Sequence, residues 1–285
     1  MTPRPLLAAL ALSATAAPAQ MSPPVSGATP VALRPALPPA LPYADVADLV
    51  LAAPVIADAT IRSTVQLKGA DAVGVRPGFV RFYMEADVAA LIRGAGGLPP
   101  RVGWLYDAAF DARGRMPRFK KARVLLFARA TATPGQLQLV APDAQLGWAP
   151  DLDTRVRSIA REVLAPAAPP RVTGVGQAFH VAGALPGEGE TQVFLQTADS
   201  RPVSLSVLRR PGERPRWAVA LSEIVDDAAA PPPRDTLLWY RLACVLPPRL
   251  PGASIAGLAA DDAIRAAEDY AFVLAQLGAC GRTRS

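Results

Sequence analysis

The sequence has one histidine, two cysteines and three lysines, and each shortage excludes a class of site. His180 alone cannot supply the ligand set of a zinc site, and no Asp-x-Asp-x-Asp-Gly loop indicates an EF-hand. No Gly-x-Ser-x-Gly motif marks a hydrolase nucleophile. Gly174 and Gly176 lack the third glycine and the following helix that a phosphate-binding loop needs. We therefore expect no metal and no cofactor.

The two cysteines are Cys244 and Cys280. An even count suits one disulfide bond in an oxidising compartment. Cys244 falls near the end of a predicted helix and Cys280 just beyond the last one, so the bond would clamp these two helices together. A reactive cysteine is the alternative, but the local sequence offers no histidine or cation to stabilise a thiolate.

Long apolar runs are missing after the N-terminal region. There, Arg4 precedes an apolar run at residues 6–14 and a small-x-small site at residues 17–19. This pattern predicts a secretory signal peptide at residues 1–19. The run is shorter than the roughly 20 residues that span a bilayer, and no later run reaches that length without a charge or a proline. The sequence predicts an exported, soluble protein of the periplasm or extracellular space, with no transmembrane segment in the mature chain.

The length and composition support two packed domains. The chain has 285 residues, of which 51% are hydrophobic and 19% charged, and domains most often contain roughly 100 to 150 residues. Residues 20–42 are rich in proline and alanine and predict an extended linker. A second Ala/Pro-rich tract, residues 165–170, marks the boundary between a β-barrel-like domain with flanking helices at 43–165 and an α+β domain at 170–285.

The first domain is predicted from strand periodicity. Residues 79–88 alternate strictly between apolar and polar side chains, which is typical of a half-buried strand. Weaker patterns predict strands at 55–67, with Val65 on the apolar face, and at 102–108, 122–130 and 137–140. Helical spacing predicts helices at 43–53 and 151–164. Five strands in about 120 residues suit a small barrel.

The second domain is predicted around residues 191–225. Three alternating runs there, the last ending near Leu221, are separated by turn-forming residues and predict an antiparallel meander preceded by a strand at 172–181. A nearly all-apolar helix follows at 236–246, capped by Asp235. The last helix, residues 261–277, has Ile264 inward, Asp269 outward and Gly278 as its C-cap. The fold class is therefore α+β: a strand-rich, small-barrel-like N-terminal domain, then an antiparallel meander packed with two C-terminal helices.

One cluster of positive charge stands out from the net charge of +6. It lies between two predicted strands, with Phe119 within it and Asp111 as the one carboxylate nearby. Such a cluster suits the phosphates of anionic lipid headgroups or an acidic polysaccharide, while a solubilising loop is the alternative. Export argues against nucleic acid as a partner. The candidate binding residues are Arg113, Arg115, Arg118, Lys120, Lys121 and Arg123.

Catalytic chemistry depends on His180, the single imidazole available as a general base near neutral pH. A triad could be drawn with Ser204 or Ser206, although no motif exposes either serine. The carboxylates Glu85 and Asp87 share one strand face, where solvated side chains are the ordinary finding.

We expect a non-catalytic binding or interaction module of the cell envelope, whose partner is an anionic envelope surface or an envelope protein. A periplasmic hydrolase using His180 is the alternative, and a structural component of an envelope complex is a third possibility. The sequence does not decide whether the protein is an enzyme.

Overall fold

The strands form two antiparallel sheets. The computed structural model describes residues 41–222 and 229–284, so the predicted signal peptide, and the linker apart from residues 41 and 42, lie outside the described residues. Sheet A has the order β3-β2-β1-β4-β5, and β6 also pairs with β4. Its strands are β1 (Val55–Gln66), β2 (Phe79–Arg93), β3 (Arg101–Ala109), β4 (Arg123–Ala130), β5 (Leu137–Leu139) and β6 (Gln145–Gly147).

Sheet A curls into a nearly closed, barrel-like structure, in agreement with the predicted barrel. Its end strands approach one another where Gly103 of β3 forms an isolated parallel bridge with Gln136. The Gly103 N–H donates to the Gly135 carbonyl at 2.8 Å, and the Gln136 side-chain amide donates to the Tyr83 hydroxyl at 2.7 Å. A methyl group on Gly103 would overlap the Tyr83 side chain, coming within 2.8 Å of its Cζ. We call this junction the seam.

Residues 55–59 of β1 are buried on both faces of the sheet, whereas the residues after Ile61 are half-buried or exposed. Val55 and Ala59 face the barrel interior, whereas Ile56 joins the core formed with the helices. Both faces are buried because the sheet is filled on one side and covered by helices on the other. Val65, expected on the apolar face, is 54% exposed near the end of the strand.

Sheet B contains the predicted meander. Its order is β10-β9-β8-β7, with every neighbouring pair antiparallel. Leu221, expected on the apolar face, lies beyond the last strand and is 43% exposed. The strands are β7 (Val172–Ala182), β8 (Gly189–Thr197), β9 (Val203–Arg209) and β10 (Arg216–Ala220).

The described residues also form five α-helices, of which the sequence predicted four. They are α1 (Tyr43–Ala52), α2 (Pro150–Leu164), α3 (Leu237–Ala243), α4 (Gly252–Ile255) and α5 (Ala260–Leu277). A further single turn of 3-10 helix spans Gly69–Ala72.

Three helix details differ from expectation: the N-cap of α3 and the positions of Ile264 and Asp269 in α5. The N-cap of α3 is Thr236 and not Asp235: Thr236 has extended backbone and its hydroxyl accepts from Trp239 N, whereas Asp235 has a φ of 59°. In α5, Ile264 is 59% exposed and Asp269 is fully buried, the reverse of both expectations. The C-cap of α5 is Gly278, as predicted, with a φ of 71° that suits glycine.

The main core lies between the two sheets and the helices. It joins Ile56 of sheet A, Ile159 of α2, Leu205 of sheet B and Tyr270 of α5 in one cluster, while a second cluster fills the barrel. From Leu41 onward the chain is one compact unit. The predicted domain boundary at 165–170 lies between α2 and β7 and stays a prediction.

The predicted disulfide is present between Cys244 and Cys280, whose Cα atoms are 4.9 Å apart. It joins the end of α3 to the residues after α5. Beyond it the chain returns to α1, where Arg282 pairs with Asp48 at 2.6 Å and the backbone N–H of Thr283 donates to Asp45 at 2.9 Å. No helix in the described ranges is both long and apolar enough to cross a membrane.

Candidate functional site

The predicted basic cluster lies in the connection between β3 and β4, which we call the basic loop (residues 110–122). Asp111 organises its first turn: one carboxylate oxygen accepts from the backbone N–H of Arg113 at 2.8 Å and of Arg115 at 2.9 Å. The other oxygen accepts from Arg115 Nε at 2.9 Å. The loop therefore has a defined turn and one internally paired arginine.

The second half of the basic loop is anchored to the barrel. The ring of Phe119 meets Phe82 and Tyr106 edge to face, with centroids 5.8 Å and 5.7 Å apart. Lys121 N donates to the Ile61 carbonyl at 2.8 Å, and Ile61 N donates to the Ala122 carbonyl at 2.9 Å. These contacts anchor the backbone of residues 119–122 to the barrel.

The six predicted binding residues divide into two groups. Arg123 belongs to β4 and makes a bidentate pair with Asp58, whose side chain is 1% exposed, and its guanidinium lies 3.8 Å from the Trp148 ring centroid. Arg115 is paired with Asp111. The remaining four are exposed and have no side-chain hydrogen bond or ion pair within the described residues. They are Arg113, Arg118, Lys120 and Lys121.

Exposed apolar side chains accompany these cations. Met116 is 49% exposed and Phe110 is 39% exposed, and both belong to the basic loop. Cations beside exposed apolar groups can contact a charged surface and enter its apolar layer together.

His180 lies at the start of a buried hydrogen-bonded chain on the helix-covered face of sheet B. Its Nδ1 is 2.9 Å from the Thr191 hydroxyl oxygen, which donates to Asp269 Oδ2 at 2.5 Å. Arg209 Nε donates to the other oxygen of Asp269 at 2.6 Å. Because a carboxylate only accepts hydrogen bonds, the Thr191 hydroxyl uses its single hydrogen to donate to Asp269. The Thr191 oxygen therefore accepts its other hydrogen bond from Nδ1 of His180.

Within the described residues, no hydroxyl or thiol group forms a hydrogen bond with Nε2, the other ring nitrogen of His180. Thr191 is fully buried and already donates to Asp269. Ser204 and Ser206 pair with Phe194 and Gln192, and since side chains alternate along a strand, they lie on the opposite face of sheet B from His180. The triad drawn from these serines is not assembled.

The carboxylates Glu85 and Asp87 are both engaged on the outer surface of sheet A. Glu85 accepts from the Ser63 hydroxyl at 2.7 Å, and Asp87 lies 3.5 Å from both Arg62 and Arg101. Within residues 41–222 and 229–284, no three His, Cys, Asp or Glu side chains are grouped as a metal site.

Two clefts of similar size open on the surface. One, of about 620 Å³, runs along the β3–β5 side of the barrel beside Trp104 and Gln136. The two charged side chains that line it, Arg81 and Asp107, neutralise each other in a bidentate pair with distances of 2.7 Å and 2.9 Å. The other, of about 630 Å³, lies between α1, the start of β7 and α3. Sequence reasoning did not predict either cleft, because their walls come from distant segments.

No known protein-family model matches the chain. A search of the curated proteins also found no relative.

Proposed function

We propose that the protein is an exported, non-catalytic binding module of the cell envelope and that its basic loop binds an anionic lipid surface. One observation supports this most directly: four exposed cations of the loop have no partner within the described residues, although the loop itself is anchored. Export is supported by the predicted signal peptide and by the disulfide, a bond of oxidising compartments.

The anchoring of the loop favours binding over simple solubilisation. A solubilising loop needs only exposed charge, whereas here the Asp111 turn and the Phe119 contacts anchor the backbone that carries these cations. Preorganisation lowers the entropy cost of binding. Each cation near an anionic membrane contributes about 1 kcal/mol.

A lipid surface is favoured over a polysaccharide by the apolar part of the loop. Met116 and Phe110 would gain little from a hydrated polymer but would be buried at a headgroup boundary. Electrostatic attraction would bring the loop to the surface, and these two side chains would contribute attraction that salt does not screen.

The test is co-sedimentation of the purified protein with phosphatidylcholine vesicles that contain or lack phosphatidylglycerol. We expect binding to the anionic vesicles only, and much weaker binding at about 1 M salt, where the Debye length is about 3 Å. Replacing Arg113, Arg118 and Lys120 by glutamate should abolish this binding.

A second triple variant controls for net charge. Arg129, Arg214 and Arg249 are exposed outside the basic loop, and their replacement by glutamate changes the net charge by the same amount. We expect this variant to bind as the unmodified protein does. Equal loss of vesicle binding in both variants, or no loss in either, would contradict the proposed site.

The hydrolase alternative has weaker support. It would need a nucleophile near His180 Nε2, and the hydroxyl bonded to Nδ1 is buried. A turnover that His180→Ala abolishes, with vesicle binding absent, would favour this alternative over the binding module.

A further inference from the structure

The cleft between α1, β7 and α3 contains a cation without a partner. Arg241, on α3, lines the cleft and is half-buried. Its guanidinium makes no hydrogen bond or ion pair within the part of the chain that the structure describes. Burial lowers the pKa of Arg241, and the nearby Arg201 cation lowers it further. A half-buried charge without a partner is unfavourable unless something else pairs with it.

A second arginine lines the same cleft. Arg171, just before β7, is exposed, and its guanidinium forms no hydrogen bond or ion pair within the described ranges. Its charge also lowers the pKa of Arg241, as expected for like charges close together. Neighbouring guanidinium groups are the arrangement that proteins use to bind phosphate and carboxylate groups.

The acidic residues near this pair are already used. Asp48 lies in the cleft wall, but Arg282 donates to both its oxygens, at 2.6 Å and 3.0 Å, and Tyr240 donates a further hydrogen bond. Asp199, whose charge raises the pKa of Arg241, accepts from Arg201 at 2.7 Å. Burial, followed by Asp48, raises the pKa of Tyr240 to about 12, so its hydroxyl remains a donor at neutral pH.

The rest of the lining is mainly apolar. Leu51 and Ala52 of α1, Val172 of β7 and Val245 after α3 surround the arginines, with the Thr173 hydroxyl group as a further polar contact. A fully hydrated ion such as free phosphate would leave these side chains without a ligand group to contact. The lining suits an anionic head with a short hydrocarbon portion.

We propose that this cleft binds an amphiphilic anion, an alkyl phosphate or alkyl carboxylate, through Arg241 and Arg171. The site is separate from the basic loop. Arg241 makes the buried contact with the anionic head, Arg171 closes over it from the surface, and the hydrocarbon portion lies against Leu51 and Val245.

Hexyl phosphate, hexanoate and inorganic phosphate are suitable probes, titrated by calorimetry against the purified protein. We expect hexyl phosphate or hexanoate to bind and inorganic phosphate to bind more weakly. Arg241→Gln should weaken binding about 10- to 100-fold, the range expected for losing a charged hydrogen bond, and Arg171→Gln should weaken it less. The matched control is Arg214→Gln, which removes an exposed arginine elsewhere and should leave affinity unchanged.

Stability of the unliganded variants separates a binding role from a structural one. Because Arg241 is half-buried without a partner, Arg241→Gln should raise the unfolding temperature when no probe is present. The proposal is overturned if neither amphiphile binds, if Arg241→Gln binds as tightly as the unmodified protein, or if that variant is less stable without a probe. Equal affinity for inorganic phosphate would overturn the assignment of a hydrocarbon portion.

Discussion

Arg209 of β9 and Asp269 of α5 form an ion pair with 2.5 Å between Arg209 Nη2 and an oxygen of Asp269. The Asp269 side chain is 1% exposed and that of Arg209 is 24% exposed. Thr191 of β8 donates to the second carboxylate oxygen. One buried carboxylate thus joins the last helix to two strands of sheet B.

Removing this carboxylate should destabilise the fold strongly. Asp269→Ala leaves the guanidinium of Arg209 without its partner, and breaking a buried pair in this way typically costs about 3 to 5 kcal/mol. Urea denaturation monitored by tryptophan fluorescence measures the free energy of unfolding. Glu268→Ala is the matched control, since Glu268 pairs with Arg265 on the exposed face of the same helix. It should cost about 1 kcal/mol or less, and similar losses in both variants would contradict the role assigned to Asp269.

The disulfide should contribute substantially to stability. It closes a loop with a sequence separation of 36 residues, for which the chain-entropy relation gives about 3 to 4 kcal/mol. Cys244→Ser/Cys280→Ser should therefore unfold at lower urea concentration. A reducing agent should destabilise the unmodified protein and leave the double variant unchanged; an unmodified protein that is insensitive to reduction would argue against this contribution.

Acid should weaken the contact between α1 and the residues after the disulfide. Burial alone would raise the pKa of Asp45, but hydrogen bonds from Thr283 and the backbone of Arg284 outweigh it and hold the pKa below 3.8. A depressed carboxyl pKa stabilises the fold above the ordinary value and loses that effect as pH falls through the folded-state value. The stability advantage of the unmodified protein over Asp45→Asn should therefore be constant near neutral pH and shrink below pH 3.8. A difference in the free energy of unfolding that stays constant down to the lowest pH would contradict the proposed stabilising role of the Asp45 carboxylate.

The seam should not tolerate a side chain at Gly103. Gly103→Ala places a methyl group against Tyr83 and within 3.2 Å of the Gln136 amide, so it disturbs the hydrogen bond between them. Overpacking of this kind costs about 1 to 3 kcal/mol. Gly147→Ala is the control, because a methyl group there meets no atom within 4 Å and the backbone has no positive φ. The unfolding temperature should be lower for Gly103→Ala than for Gly147→Ala. Equal unfolding temperatures would show that Tyr83 can move aside without loss of stability.

Local pattern predicted most elements but not where buried polar groups pair. Alternation correctly indicated β2 and the meander, because an apolar face repeats every second residue. The charge of Asp269 predicts a position on the outer face of α5, where its carboxylate would be solvated. In the structure Asp269 lies on the same buried stripe of α5 as Ala266 and Val273, and its partner Arg209 is 60 residues away.

The candidate sites show the same limit. The sequence predicts the positive charge of the basic loop but not the pairing of Arg123. That residue binds Asp58 on the adjacent strand β1, 65 residues away along the chain. The cleft between α1, β7 and α3 is lined by Arg171 and Arg241, which are far apart in the sequence, so no local motif predicts it. Sequence periodicity determines which face is apolar, whereas these sites depend on which segments come together.

The seam also covers part of the strand edge of β3. A free strand edge presents unpaired N–H and C=O groups to which another chain can add a strand. In sheet A, β3 is an end strand, and the hydrogen bond from Gly103 to Gly135 occupies part of that edge. A substitution that breaks this hydrogen bond would expose the edge of β3 to pairing with another chain. We therefore expect concentration-dependent aggregation before any general loss of structure.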